Sequence, residues 1–246
     1  MLRRERIDAR DWSQMCAGVP LFAMLSDDER ERMCSLATIF LAEKNVVCVQ
    51  GVELTSNQLS LLAGLAVLPI LNLDSDWYEG VKDLVIYPAE FVARREETDD
   101  DGVVHVRRMP LSGESWQRGP VILSWPDVEA SLELDGYNVV VHEFAHKLDM
   151  LDGAPNGIPP LHRGMNRSAW AKACRDAFDR LNADLDAGRE TVVDPYAAEE
   201  PGEFFAVLSE MFFERPLDLE EEYPAVYEQF RAFYRQDPAG RFSHSA

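Results

Sequence analysis

Residues 138–150 read NVVVHEFAHKLDM, the stretch that most restricts what this chain can fold into. Three valines lead without a break into two histidines four residues apart. On an α-helix, His142 and His146 lie one turn apart on one face, with Glu143 beside them. Such a helix can hold a zinc ion together with its attacking water. The segment is expected to bury an apolar face of Val139, Val140, Phe144, Leu148 and Leu151. His142, His146 and Asp149 mark a separate polar stripe. Asp135 is the expected N-cap. A buried helix that merely contains histidines is the bland alternative.

The spacing has a mechanical reason. Two histidines at i and i+4 can reach one ion, and a catalytic zinc keeps three protein ligands and one open position. Glu143 follows the first histidine directly and is aimed toward that position, where it can take a proton from water. A third ligand is needed. One known spacing puts it ten residues after the first histidine, here Asp152. That arrangement requires a glycine three residues after the second histidine, where this chain has Asp149, so Asp152 is expected to point away. The other source is PGEFFAVLSEMFF (201–213), a predicted helix of apolar residues interrupted by Glu203 and Glu210. A carboxylate in such a segment needs compensation, which a metal provides. Spacing alone leaves Glu203 and Glu210 both open.

Composition narrows the partners. The net charge of −20 speaks against nucleic acid and anionic membrane, both of which require a basic patch. No window approaches the ~18 apolar residues of a spanning helix, and Glu5, Asp8 and Asp11 interrupt any signal peptide. Cys16, Cys34, Cys48 and Cys174 are scattered, as free thiols in a reducing compartment would be, and their spacing makes them poor zinc ligands. A soluble cytoplasmic protein is expected.

Helices are predicted at 26–43 (opened by a Ser26–Glu29 capping box), 56–68, 166–184, 203–214 and around 222–235. Strands are predicted at 45–50, 83–88 and 119–125, the last ended by Pro126. A hairpin is predicted across 91–109, turning at Asp101-Gly102. Strands in the middle with helices at both ends make an α+β chain, expected as one domain over 1–246 with a mostly helical segment at about 1–70.

NVVVHEFAHKLD, DPYAAEEPGEFFAVLSEMFF and YRQDPAGR, with LVIYPAEFV (84–92), SWQRGPVILSW (115–125) and the Gln50-Gly51 turn, resemble the MtfA (Mlc titration factor A) family over roughly residues 20–240. The resemblance implies a zincin-like metallopeptidase core, a mixed sheet plus the HExxH helix, similar to that of anthrax lethal factor. It implies a zinc aminopeptidase with one zinc per chain, His142, His146 and Glu203 as metal ligands, Glu143 as catalytic glutamate and Tyr196 stabilising the oxyanion. It also implies a peptide or protein substrate and binding of the transcriptional repressor Mlc, which bears on the glucose phosphotransferase system. The alternative is a repressor-sequestering binding protein whose zinc site is not its main function. The presence of Glu143 argues against a purely structural zinc, which needs no general base. Of the remaining histidines, His105 is expected to be exposed on a strand, His162 to lie in a loop that could border the cleft, and His244 to belong to a frayed tail.

Overall fold

The computed structural model describes residues 7–89, 94–98, 104–108 and 119–245. In chain order the elements are α1 (Ala9–Gly18), α2 (Pro20–Ala23), α3 (Asp27–Glu43), β1 (Asn45–Cys48), α4 (Ser56–Val67), β2 (Asp83–Tyr87), β3 (Arg94–Thr98), β4 (Val104–Arg108), β5 (Val121–Ser124), α5 (Trp125–Ala130), α6 (Val139–Asp149), α7 (Arg167–Asp186), α8 (Pro201–Glu214), α9 (Pro216–Glu222), α10 (Pro224–Tyr234) and α11 (Pro238–Ser245). The chain is mostly helical, with helices at both ends and strands between them, as the α+β pattern predicts.

The strands form two sheets. In the first the order is β1-β2-β5, all parallel, with Val46 opposite Leu84 and Leu84 opposite Val121. Parallel neighbours need long crossovers, and α4 lies in the one between β1 and β2. In the second, β3 and β4 pair antiparallel from Arg94 opposite Arg108 to Thr98 opposite Val104. The parallel and antiparallel pairings of the expected mixed sheet thus lie, among the described residues, in separate sheets. The Asp101-Gly102 turn falls outside the described residues, as do residues 90–93 and 109–118 of the quoted motifs.

Local chemistry accounts for most boundaries. Ser26 accepts from Glu29 N while Glu29 Oε2 accepts from Ser26 N, the capping box expected for α3. Thr55 and Gln58 repeat the device at α4. Pro126 does not simply end the strand. It sits in the first turn of α5, where a missing N–H costs nothing, and Ser124 caps that helix by accepting from Asp127 N. The unpredicted α1 buries Trp12 and Cys16, one helical turn apart, and Asp8 caps it.

The buried apolar residues, from Trp12 to Ala239, form one cluster. Two parts of it position the site. Gly64 of α4 lies so close to α2 that a Cβ would stand 2.9 Å from Phe22 Cζ, so these helices meet at a residue without a side chain. Elsewhere in the cluster, α8 is buried from Gly202 to Glu214. Its Phe205 and Phe212 pack against Trp170 of α7 and against Phe230 and Tyr234 of α10, with Phe205–Phe230 and Phe212–Tyr234 centroids both 5.3 Å apart. Each aromatic pair adds about 0.5–1.5 kcal/mol beyond its buried area. The other face of α8 packs on α6. Among the described residues no helix is long and apolar enough to cross a membrane.

Candidate metal centre

Asn138, not Asp135, is the N-cap of α6. Its Oδ1 accepts from Val141 N at 3.0 Å, while Asp135 closes a local turn by accepting from Tyr137 N. From this start the helix buries Val140, Val141, Phe144, Ala145 and Leu148. Leu151 is not part of that face and is 43% exposed. The helix ends at Asp149 and passes into a 3-10 turn over Met150–Asp152, so the helical spacing that would have buried Leu151 has already stopped.

His142 and His146 project from α6 toward the first turn of α8, where Glu203 stands. The two Nε2 atoms are 3.2 Å apart, and Glu203 Oε2 lies 3.1 Å from His142 Nε2 and 3.3 Å from His146 Nε2. Ligands around a tetrahedral ion with ~2.0–2.1 Å bonds are separated by about 3.3 Å. Among the described residues, His142, His146 and Glu203 form the one group of histidine, cysteine or carboxylate ligands that could hold a metal. Glu203 Oε2 is buried and makes no well-aligned hydrogen bond, a deficit that a bound cation would make good. The donor set of two imidazole nitrogens and one carboxylate oxygen suits zinc and leaves one coordination position free.

Glu210, the other open candidate, is one step removed. Its Oε1 lies 2.7 Å from His142 Nδ1 and its Oε2 accepts from Asn138 N. A proton on Nδ1 leaves Nε2 of His142 with its lone pair toward Glu203 and His146, the tautomer a metal requires. The network continues: Asn138 Nδ2 donates to Glu214 Oε1 at 2.8 Å, and Gly136 N donates to Glu214 Oε2 at 3.1 Å. Reasoning from sequence missed Asn138 and Glu214. A signal existed, because Glu203, Glu210 and Glu214 are spaced by seven and then four residues and so share one helix face.

The electrostatics follow from this crowding. Burial opposes a charge on His142, but the carboxylates of Glu210, Glu203 and Glu143 outweigh it and hold its pKa well above the ordinary value. Burial alone would raise Glu203, yet contact with His142 and His146 pulls it down to about 2. The carboxylates that would hold a cation also favour a proton on His142. Burial pushes Glu214 up to about 8 against the pull of its two donors.

Glu143 is half-buried beside His142. Lys147, one turn on, donates to Gly119 O at 3.1 Å and so ties α6 to the chain entering β5. Tyr196 sits in a 3-10 turn, Pro195–Ala198, and its own N–H donates to the capping Asp194 Oδ1. Its ring centroid is 6.1 Å from that of His142. Burial and the neighbouring carboxylates of Glu203 and Glu199 raise its pKa. Asp152 is exposed and takes no part in the group. His162 does not border the site: its Nε2 pairs with Phe233 O at 2.7 Å and its ring packs between Trp77 and Phe233. The side chains of His105 and His244 fall outside the described residues. Cys16, Cys48 and Cys174 are free thiols.

Comparison with known proteins finds a metallopeptidase family. The family model for glucose-regulated metallo-peptidase M90 matches residues 1–235. The Mlc titration factor A of Yersinia enterocolitica serotype O:8 / biotype 1B is 42% identical over 226 residues, which cover 91% of this chain and 84% of that protein. The Mlc titration factor A of Yersinia pestis (strain Pestoides F) is 41% identical over 226 residues, covering 91% of this chain and 83% of that protein.

Proposed function

The chain belongs to the glucose-regulated metallopeptidase M90 family, and from that premise we propose that it is a zinc-dependent peptidase of aminopeptidase type. One zinc per chain is held by His142, His146 and Glu203. The observation that carries the reading is the convergence of three ligand atoms at 3.1–3.3 Å, two of them on buried residues, with a glutamate next to the first histidine. Zinc, when bound, polarises the scissile carbonyl and acidifies a water molecule. Glu143 takes the proton from the attacking water and later delivers it to the leaving amine. The Tyr196 hydroxyl donates to the carbonyl oxygen as negative charge develops there. Its raised pKa keeps that proton in place at neutral pH. Glu210 holds His142 in the tautomer that presents Nε2.

The substrate is a peptide or protein segment. β5 has a lateral neighbour, β2, on one side only among the described residues, and it packs against α6. An extended peptide adding to its free edge would run past Glu143. The protein acts in the cytoplasm without binding nucleic acid or membrane directly, in line with its net charge of −20. The relatives are named for titration of Mlc, which supports a second reading, binding of that repressor, and the two are compatible in one protein.

Metal analysis and peptidase assays of wild type and Glu143→Gln test the first reading. We expect zinc in both proteins and activity on peptides with a free rather than an acetylated N-terminus. In the variant that activity should fall by ~10²-fold or more, the scale of general acid–base catalysis. Undiminished turnover in Glu143→Gln removes Glu143 as the base. Co-purification with Mlc, compared between wild type and the zinc-free His146→Ala, tests the second reading and its dependence on the metal.

A further inference from the structure

Four side-chain atoms among the described residues are buried without a hydrogen-bond partner: Glu203 Oε2, His146 Nδ1, Asp149 Oδ1 and Tyr78 OH. The first faces the two Nε2 atoms. The next two lie three residues apart on α6, where i and i+3 side chains are neighbours. If His146 offers Nε2 to a metal, its proton must sit on Nδ1, and that buried N–H then needs an acceptor. His142 has one in Glu210. Asp149 Oδ1 is a buried acceptor with no well-aligned donor, and it lies near enough for the Asp149 carboxyl to feel His146. Tyr78 does not compete for it. Its ring packs on Phe144, which at 100° per residue lies on the side of α6 opposite Asp149.

The other Asp149 oxygen is already engaged. Oδ2 accepts from Asn156 N and Gly157 N, both at 2.8 Å. That loop touches the start of α8. A Cβ on Gly157 would stand 2.6 Å from Pro201 O, and one on Gly202 would stand 3.1 Å from Pro155 Cβ. Gly157 O in turn accepts from Trp170 Nε1 at 2.8 Å. One carboxylate therefore ends the histidine helix and pins the loop that supports the turn carrying Glu203.

We propose that Asp149 is a positioning residue of the metal centre, its Oδ1 accepting from His146 Nδ1–H while its Oδ2 fixes the 156–157 loop against the first turn of α8. The inference rests on the zinc reading of the preceding subsection. Asp149→Asn separates the two duties. The amide oxygen can still accept from Asn156 N and Gly157 N, which turns the amide NH2 toward His146 Nδ1. That donor selects the tautomer protonated on Nε2, the wrong one for a metal.

The experiment combines competitive zinc titration with nitrogen-15 NMR of the histidine rings, on wild type and Asp149→Asn. We expect wild type loaded with zinc to show His146 protonated on Nδ1 and that proton protected from exchange with water. We expect Asp149→Asn to bind zinc about 10–100-fold more weakly, and its His146 signals, but not those of His142, to shift toward the Nε2-protonated form in metal-free protein. The wild-type spectrum alone keeps the proposal testable if the variant does not fold: an unprotected Nδ1 proton overturns it. Equal zinc affinity in the two proteins overturns the role of Asp149 while leaving the zinc site standing. A wild type without zinc affinity removes the metal reading, and this inference with it.

Discussion

Glu210→Gln tests whether α8 orients the first histidine or merely packs beside it. The wild-type carboxylate serves two buried donors, His142 Nδ1 at 2.7 Å and Asn138 N. A glutamine brings one oxygen and one NH2, so one donor is left facing another donor. An orphaned buried donor costs about 1–3 kcal/mol, and a charge-assisted bond of about 1.5–3 kcal/mol becomes at best a neutral one of about 0.5–1.5 kcal/mol. The penalty on Asn138 N–H is present with or without metal. At about 2–4 °C per kcal/mol for a chain of this size, it lowers the Tm of metal-free protein by about 2–12 °C. The penalty on His142 is felt mainly when Nε2 is engaged. It lowers zinc affinity by about 10–100-fold, or about 1.4–2.8 kcal/mol. Thermal unfolding of chelator-treated protein measures the first effect, and zinc titration against a competing chelator measures the second. A variant with a lowered Tm but wild-type zinc affinity would refute the reasoning, because Glu210 would then be a packing residue.

Glu203→Ala and His146→Ala should each abolish tight zinc binding, whereas Glu210→Ala should keep measurable affinity; the reverse ranking in zinc titrations would reassign the third ligand. Stability should depend on pH through Glu214, whose carboxyl burial pushes up to about 8 in the folded protein, above the ordinary carboxylate range. Its contribution is complete below the unfolded pKa and is lost as pH rises through about 8, because the unfolded chain releases this proton first. Denaturant titrations from pH 4.5 to 8 should therefore show a shallower decline in Glu214→Gln, and equal slopes in the two proteins would remove Glu214 as the cause. Gly157→Ala adds a Cβ 2.6 Å from Pro201 O at φ +74 and should lower Tm measurably; an unchanged Tm would mean that the loop and α8 can separate without cost. Phe205→Ala should cost about 3–5 kcal/mol of unfolding free energy as a large buried aromatic, and a loss under 1 kcal/mol would show that the cluster behind α8 collapses to fill the gap.

The HExxH helix was legible because its signal is local. Histidines at i and i+4 share a helix face whatever surrounds them, and a valine run beside them implies burial. Capping boxes at α3 and α4 were of the same kind in principle, although only the first was read. The cap of α6 was misread. Asp135 and Asn138 are both good capping residues, and the choice fell to Asn138 because Glu214 and Ser131 O, on other elements, accept from its amide. The short α1 was not predicted although its signals are local, with Trp12 and Cys16 at i and i+4 and Asp8 as its cap.

The sequence by itself determined that one short helix presents two histidines and a glutamate together, that a second apolar helix carries buried carboxylates, and, through motif resemblance, which of these to expect at the metal. These follow from covalent spacing and from the cost of burying charge. Which carboxylate faces which nitrogen is a matter of distance between α6 and α8, segments some sixty residues apart in the chain. Only the packing of α8 between α6 and the Trp170–Phe230–Tyr234 cluster sets its rotation, bringing Glu203 to the two Nε2 atoms and Glu210 to Nδ1. The i, i+3 spacing already puts Asp149 next to His146, but only the packing of distant elements excludes water from one of its oxygens and gives the other a loop to hold.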